Sequence, residues 1–139
     1  MIILDTNVVS ELMKSAGDPA VRDWVRAHPG RELCTTAITL AEIRYGIERL
    51  PAGRRKDLLG RIAEELFSAF SEQVLSFDAA STRHYAEIVT RRERAGRPID
   101  ALDAQIAAIC RNRDATLATS NVRDFVDTGI DVLDPWRVD

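Results

Sequence analysis

At 139 residues the chain has the length of one compact domain, and its 45% hydrophobic and 29% charged content excludes intrinsic disorder. The opening apolar run Met1-Ile2-Ile3-Leu4 stops at Asp5, too soon for a signal peptide or a membrane span, so no membrane association is expected. A net charge of −3 argues against the broadly basic surface of a non-specific nucleic-acid binder. It leaves room for a nuclease, because a carboxylate pocket lowers net charge and bound divalent ions cancel it locally.

Ile2-Ile3-Leu4 reads as a short buried parallel strand, after which Asp5-Thr6-Asn7 turns into a helix carrying Val8, Val9 and Leu12. Asp18-Pro19 is a helix start, running to about Ala27 and ended by His28-Pro29-Gly30. Leu33-Cys34-Thr35 is a second strand. A helix from about Thr39 then holds Leu40, Ile43, Ile47 and Leu50, and Pro51-Ala52-Gly53 breaks it. The next helix places Leu58, Leu59, Ile62, Leu66 and Phe70 on one stripe, and together the two form a hairpin expected to project from the sheet. Val74–Phe77 is a third strand, with Asp78 capping a helix to Ala95-Gly96. After Pro98 another helix spans about Asp100 to Asn112, and Thr116–Thr119 and Ile130–Leu133 complete the strands.

Strands and helices alternate without repeats or low-complexity tracts. The expected fold is therefore α/β, a single domain over residues 1–139 with a mostly parallel sheet between helical layers. Cys34 and Cys110 lie far apart in apolar contexts and read as buried free thiols in a reducing cytoplasm. With two histidines, His28 and His84, zinc has few candidate ligands. Arginine clusters at Arg54-Arg55-Lys56, at Arg91-Arg92-Glu93-Arg94 and at Arg97, as RNA-facing surfaces or as solvated helix faces.

The chemistry rests on carboxylates. Asp5 follows the first strand directly, where open parallel sheets place their ligands, although such a residue is also a common turn former. Thr39-Leu40-Ala41-Glu42 matches a capping box, so Glu42 is either a helix cap or a site acid. Asp100 and Asp103 lie one helical turn apart on one face; Asp100, nearer the start, takes the cap, leaving Asp103 pointing to the sheet edge. Thr119-Ser120-Asn121-Val122-Arg123-Asp124 supplies further polar groups at another strand end. Clustered oxygen donors, with little histidine, suit the hard cations Mg²⁺ or Mn²⁺.

In four stretches the sequence resembles PIN-domain proteins, specifically VapC-type toxins including their FitB branch. They are Leu4–Leu12 (LDTNVVSEL), Thr36–Gly46 (TAITLAEIRYG), Ile99–Ala108 (IDALDAQIAA) and Thr119–Phe125 (TSNVRDF), and they keep the family's order and spacing. The resemblance implies a Mg²⁺- or Mn²⁺-dependent endoribonuclease. In it Asp5 and Asp103 are the main metal ligands, Glu42 is a further site acid, and the Thr6 hydroxyl steadies the acidic group. Ser120 and Asn121 join it as substrate or supporting positions. The fourth acidic position falls on Asn121 or on Asp124, one helical turn later; Asn121 can orient a water but cannot act as a base. The family also implies a homodimer, an RNA substrate, and a VapB-type antitoxin that forms a hetero-oligomer with the toxin. Two other readings of Asp5 fail. A haloacid-dehalogenase-like phosphatase needs an acid where Asn7 stands, and a receiver domain needs an acidic pair and a late lysine. The surviving alternative is a catalytically weak PIN-like interaction module, which metal-dependent RNA cleavage would separate from an enzyme.

Overall fold

The computed structural model describes residues 1–138; Asp139, the last residue of the expected domain, lies outside them. The elements are β1 (Ile2–Leu4), α1 (Thr6–Leu12), α2 (Pro19–Arg26), β2 (Leu33–Thr36), α3 (Ala37–Glu48), α4 (Arg54–Phe70), β3 (Val74–Leu75), α5 (Ser81–Arg94), α6 (Ala101–Arg113), β4 (Thr116–Ala118) and β5 (Val132–Leu133). The strands form one sheet in the order β3-β2-β1-β4-β5. Every pairing among the described residues is parallel, a stricter arrangement than the mostly parallel sheet expected, because helices or long crossovers separate the paired strands.

Side chains alternate across the strands and sort the core into two layers. Ile3, Cys34 and Leu117 face α5 and α6 with Ile88, Ile106 and Ile109. Leu4, Leu33 and Ala118 face the other side, with Val8, Val9, Val21 and Trp24. Both cysteines are buried free thiols, and burial pushes the Cys110 thiol up from its ordinary range. No helix among the described residues is long and apolar enough to cross a membrane.

The α3–α4 hairpin is anchored at one end. It packs onto the second core layer through Ile43, Ala63, Phe67 and Phe70, and its tip, residues 51–55, is exposed throughout. The buried face of α4 is set by its aromatics, at i, i+4 and i+7 from Ala63, and Leu58 is left 51% exposed. The start of α3 differs from the one expected. Thr36, not Thr39, is its cap, its Oγ1 accepting from the Thr39 amide at 3.1 Å. The predicted caps Asp18 and Asp100 hold, each accepting from amides of the first turn.

Candidate active site

Parallel strands bring their carboxyl ends to one edge of the sheet. The strand order reverses about β1, so crossovers leave in opposite directions and open a crevice there. Asp5 sits at the end of β1, 4% exposed, its amide donating to the Ala118 carbonyl of β4 at 2.9 Å. Its Oδ1 accepts from the Thr6 amide at 2.8 Å. Its Oδ2 accepts from the Thr119 hydroxyl at 2.7 Å and from Asn7 Nδ2 at 3.2 Å. A carboxylate offers roughly four lone-pair positions, so one on Oδ1 stays open. Burial still raises the Asp5 pKa, against the lowering by those three donors.

Thr119, expected only as one of the polar groups at its strand end, and Asn7, expected only as a turn residue, both lock the neighbouring loop. The Asn121 amide donates to Thr119 Oγ1 at 3.0 Å, and the Ser120 amide donates to Asn7 Oδ1 at 3.0 Å. Asn7 Nδ2 also donates to Thr119 Oγ1 at 3.0 Å. Ser120 and Asn121 thus join the site through their backbones, with both side chains at the surface. The one available signal was a hydroxyl residue, Thr119, ending an apolar strand.

Because Thr36 caps α3, Glu42 lies more than a turn inside the helix and cannot complete a capping box. Its Oε1 instead accepts from the Thr6 hydroxyl at 2.8 Å, and Thr6 also reaches Thr39 Oγ1 at 3.2 Å. Burial, with the charges of Asp5 and Asp100, raises the Glu42 pKa. These contacts predict opposite outcomes at the two positions. Thr36→Ala destabilises the fold by about 1 kcal/mol, the usual loss on removing a cap. Glu42→Gln changes stability by less than about 0.5 kcal/mol, as for a side chain outside the core and the caps. Chemical denaturation of both variants measures this, and a greater loss in Glu42→Gln would return that residue to a structural role.

Asp100 caps α6, accepting from the Leu102 amide at 3.0 Å and the Asp103 amide at 3.3 Å, which frees the Asp103 side chain. Burial first, then the negative charges of Asp5, Asp100, Asp124 and Glu42, push Asp103 up to about 7. Asp124 stands exposed on the 3₁₀ turn Val122–Phe125, and its charge raises both Asp5 and Asp103. The four acids singled out in the sequence therefore share one electrostatic field.

Their donor set is all oxygen, and their mutual repulsion is relieved by a cation. Among the described residues no group of three or more His, Cys, Asp or Glu side chains is placed to hold a metal ion. The carboxylates stand near enough to raise one another's pKa without enclosing a site. That suits an ion which keeps several waters, the habit of Mg²⁺.

The PIN domain family model matches residues 2–130. The chain belongs to the PIN-domain family. A VapC ribonuclease, Y4jK of Sinorhizobium fredii, is 37% identical over 99% of both chains. Toxin FitB of Neisseria gonorrhoeae is 32% identical, again over 99% of both. A solved structure of FitAB bound to an IR36 DNA fragment superposes with a TM-score of 0.92 at 31% identity, covering 100% of this chain and 98% of that one. Within the PIN domains, the chain falls among the VapC-type ribonuclease toxins.

Proposed function

We propose that this PIN domain is a Mg²⁺- or Mn²⁺-dependent endoribonuclease, the toxin of a type II toxin–antitoxin pair acting in the cytoplasm. What supports the reading is Asp5 at the end of β1 beside Thr6, whose hydroxyl binds Glu42, with Asp103 raised to about 7 by burial and by the charges of Asp5, Asp100, Asp124 and Glu42. Asp5 and Asp103 are the metal ligands. When bound, such an ion polarises a phosphodiester oxygen and makes hydroxide available from water near neutral pH. The chain's part is orientation. Thr119, Asn7 and the Thr6 amide hold the Asp5 carboxylate in one rotamer, and the Thr6 hydroxyl holds Glu42. The fourth acidic position goes to Asp124, since Asn121 works through its amide and cannot take a proton. The test is cleavage of total bacterial RNA with Mg²⁺ or Mn²⁺, beside EDTA and Asp5→Asn controls. Cleavage that survives both controls would overturn the reading.

An apolar groove leads to this crevice from between α1, α3 and α4. Met13, Ile43, Ile47, Leu50 and Leu59 wall it, and Thr6 and Glu42 stand at its end. Its shape suits the antitoxin: an apolar stretch of chain fills the groove and a basic residue meets the acids. A guanidinium can fork onto carboxylate oxygens and compete with the cation for them. The toxin is expected to be a homodimer by light scattering, and inhibited by the product of a small adjacent reading frame. A monomer indifferent to that product would remove this part of the proposal.

A further inference from the structure

We infer that Arg92 is a positioning residue that sets where Asp124 stands against Asp5 and Asp103. The inference rests on the site reading above, in which Asp124 is a site acid. Arg92 belongs to the arginine cluster expected to be RNA-facing or solvated, yet it is 5% exposed. Its Nε donates to the Arg97 carbonyl at 2.7 Å, and its Nη1 donates to the Asp124 carbonyl at 2.9 Å and the Val126 carbonyl at 3.0 Å. Among the described residues no carboxylate pairs with it. A guanidinium buried without a counter-ion is costly unless its N–H groups find acceptors, and here backbone carbonyls accept from Nε and Nη1.

The Asp124 and Val126 carbonyls lie on either side of Phe125, which is buried in the core. Just beyond, Asp127 takes a positive φ of 57° and is met by Arg91 at 3.9 Å and Arg97 at 3.6 Å. The end of α5 and the turn after it thus hold residues 124–127 at several points. The Asp124 side chain itself accepts no hydrogen bond among the described residues; its amide bonds the Asn121 carbonyl at 3.0 Å. What fixes its carboxylate is therefore the backbone of its turn, and Arg92 grips that backbone at the Asp124 carbonyl itself. A lysine keeps the charge but lacks the planar fork that spans several carbonyls at once.

The experiment follows Mn²⁺ binding to the isolated chain, from the electron paramagnetic resonance of the free ion, alongside cleavage of total bacterial RNA. Asp124→Asn is expected to weaken Mn²⁺ binding about tenfold, within the range for groups that support a metal site. Arg92→Lys is expected to lose a comparable factor. The double variant should bind no more weakly than Asp124→Asn alone, because Arg92 acts through Asp124. Losses that multiply, or an Arg92→Lys protein that binds Mn²⁺ like the parent, would overturn the inference. If Asp124→Asn binds Mn²⁺ normally while Asp5→Asn does not, this inference falls and the proposed function stands; if Asp5→Asn also binds normally, the proposed function falls as well. Thermal melts check folding, with Arg92→Gln as the second variant. Should neither fold, hydrogen exchange in the parent decides: Asp124 and Val126 amides as protected as those of α5 support the clamp, and loop-like exchange refutes it.

Discussion

Replacing Asp5 or Asp103 by Asn lowers RNA cleavage by at least about a hundredfold, the low end of what removing a positioned catalytic group costs. The two variants should nevertheless fold, and they should differ in stability for reasons visible in their contacts. Asp5 accepts three hydrogen bonds, from the Thr6 amide, Thr119 and Asn7. An amide in its place keeps one acceptor oxygen, so bonds are lost while the penalty for burying a charge disappears. The sum is expected to stay within about 1 kcal/mol of the parent, the scale of a single net hydrogen bond. Asp103 has no such donors, and every influence on it opposes its charge. Asp103→Asn should therefore be more stable than the metal-free parent at pH 8. Initial rates on total RNA with Mg²⁺, paired with thermal melts in EDTA, measure both effects. Parental rates with ordinary metal dependence in either variant would remove that residue from the site.

Much of this arrangement was readable because it depends on local patterns. Short apolar strands ending in Asp5 and Thr119, and caps such as Asp18-Pro19 and Asp100, declare themselves within a few residues. Asp103 was separable from Asp100 because a helix start needs its cap at the edge, and the acid one turn inside is left free. Glu42 was not separable. Thr36 and Thr39 can each begin a helix, and the choice depends on where β2 ends, which is set by pairing with β1 and β3. The α4 stripe shifted for a similar reason: partners across the core selected Ala63 and Phe67 beside Phe70, and left Leu58 outside. Arg92 lay furthest from sequence reasoning. Its neighbours Arg91 and Arg94 are exposed, and only the return of residues 124–126, far along the chain, gives its guanidinium carbonyls to hold.

The metal-free protein is expected to lose stability as pH rises from about 4 to about 7, and divalent ions should restore it. Asp103 has its folded-state pKa raised to about 7 from an ordinary aspartate's 3.8, and Asp5 and Glu42 are raised as well. A carboxyl with a raised pKa binds its proton more tightly when folded, so between those two values the native state carries more protons than the unfolded one. Stability then falls as pH increases across that window, and the destabilisation is fully present above about 7. This is the reverse of the usual carboxylate in an ion pair, whose stabilisation is lost on acidification. Asp103 is partly open to solvent, so screening trims the effect below what the shift alone implies. Mg²⁺ at pH 8 binds the ionised crevice and not the unfolded chain, and at about a hundred times its dissociation constant it adds roughly 2.7 kcal/mol. Melting temperatures in EDTA and in Mg²⁺ across pH 4–8 give the measurement. The EDTA curve should decline toward pH 8, the Mg²⁺ curve should rise above it as the acids ionise, and Asp103→Asn should flatten the first and weaken the second. An EDTA curve that climbs steadily to pH 8, with no separation on adding Mg²⁺, would mean that these carboxylates are not held against one another in a cation site.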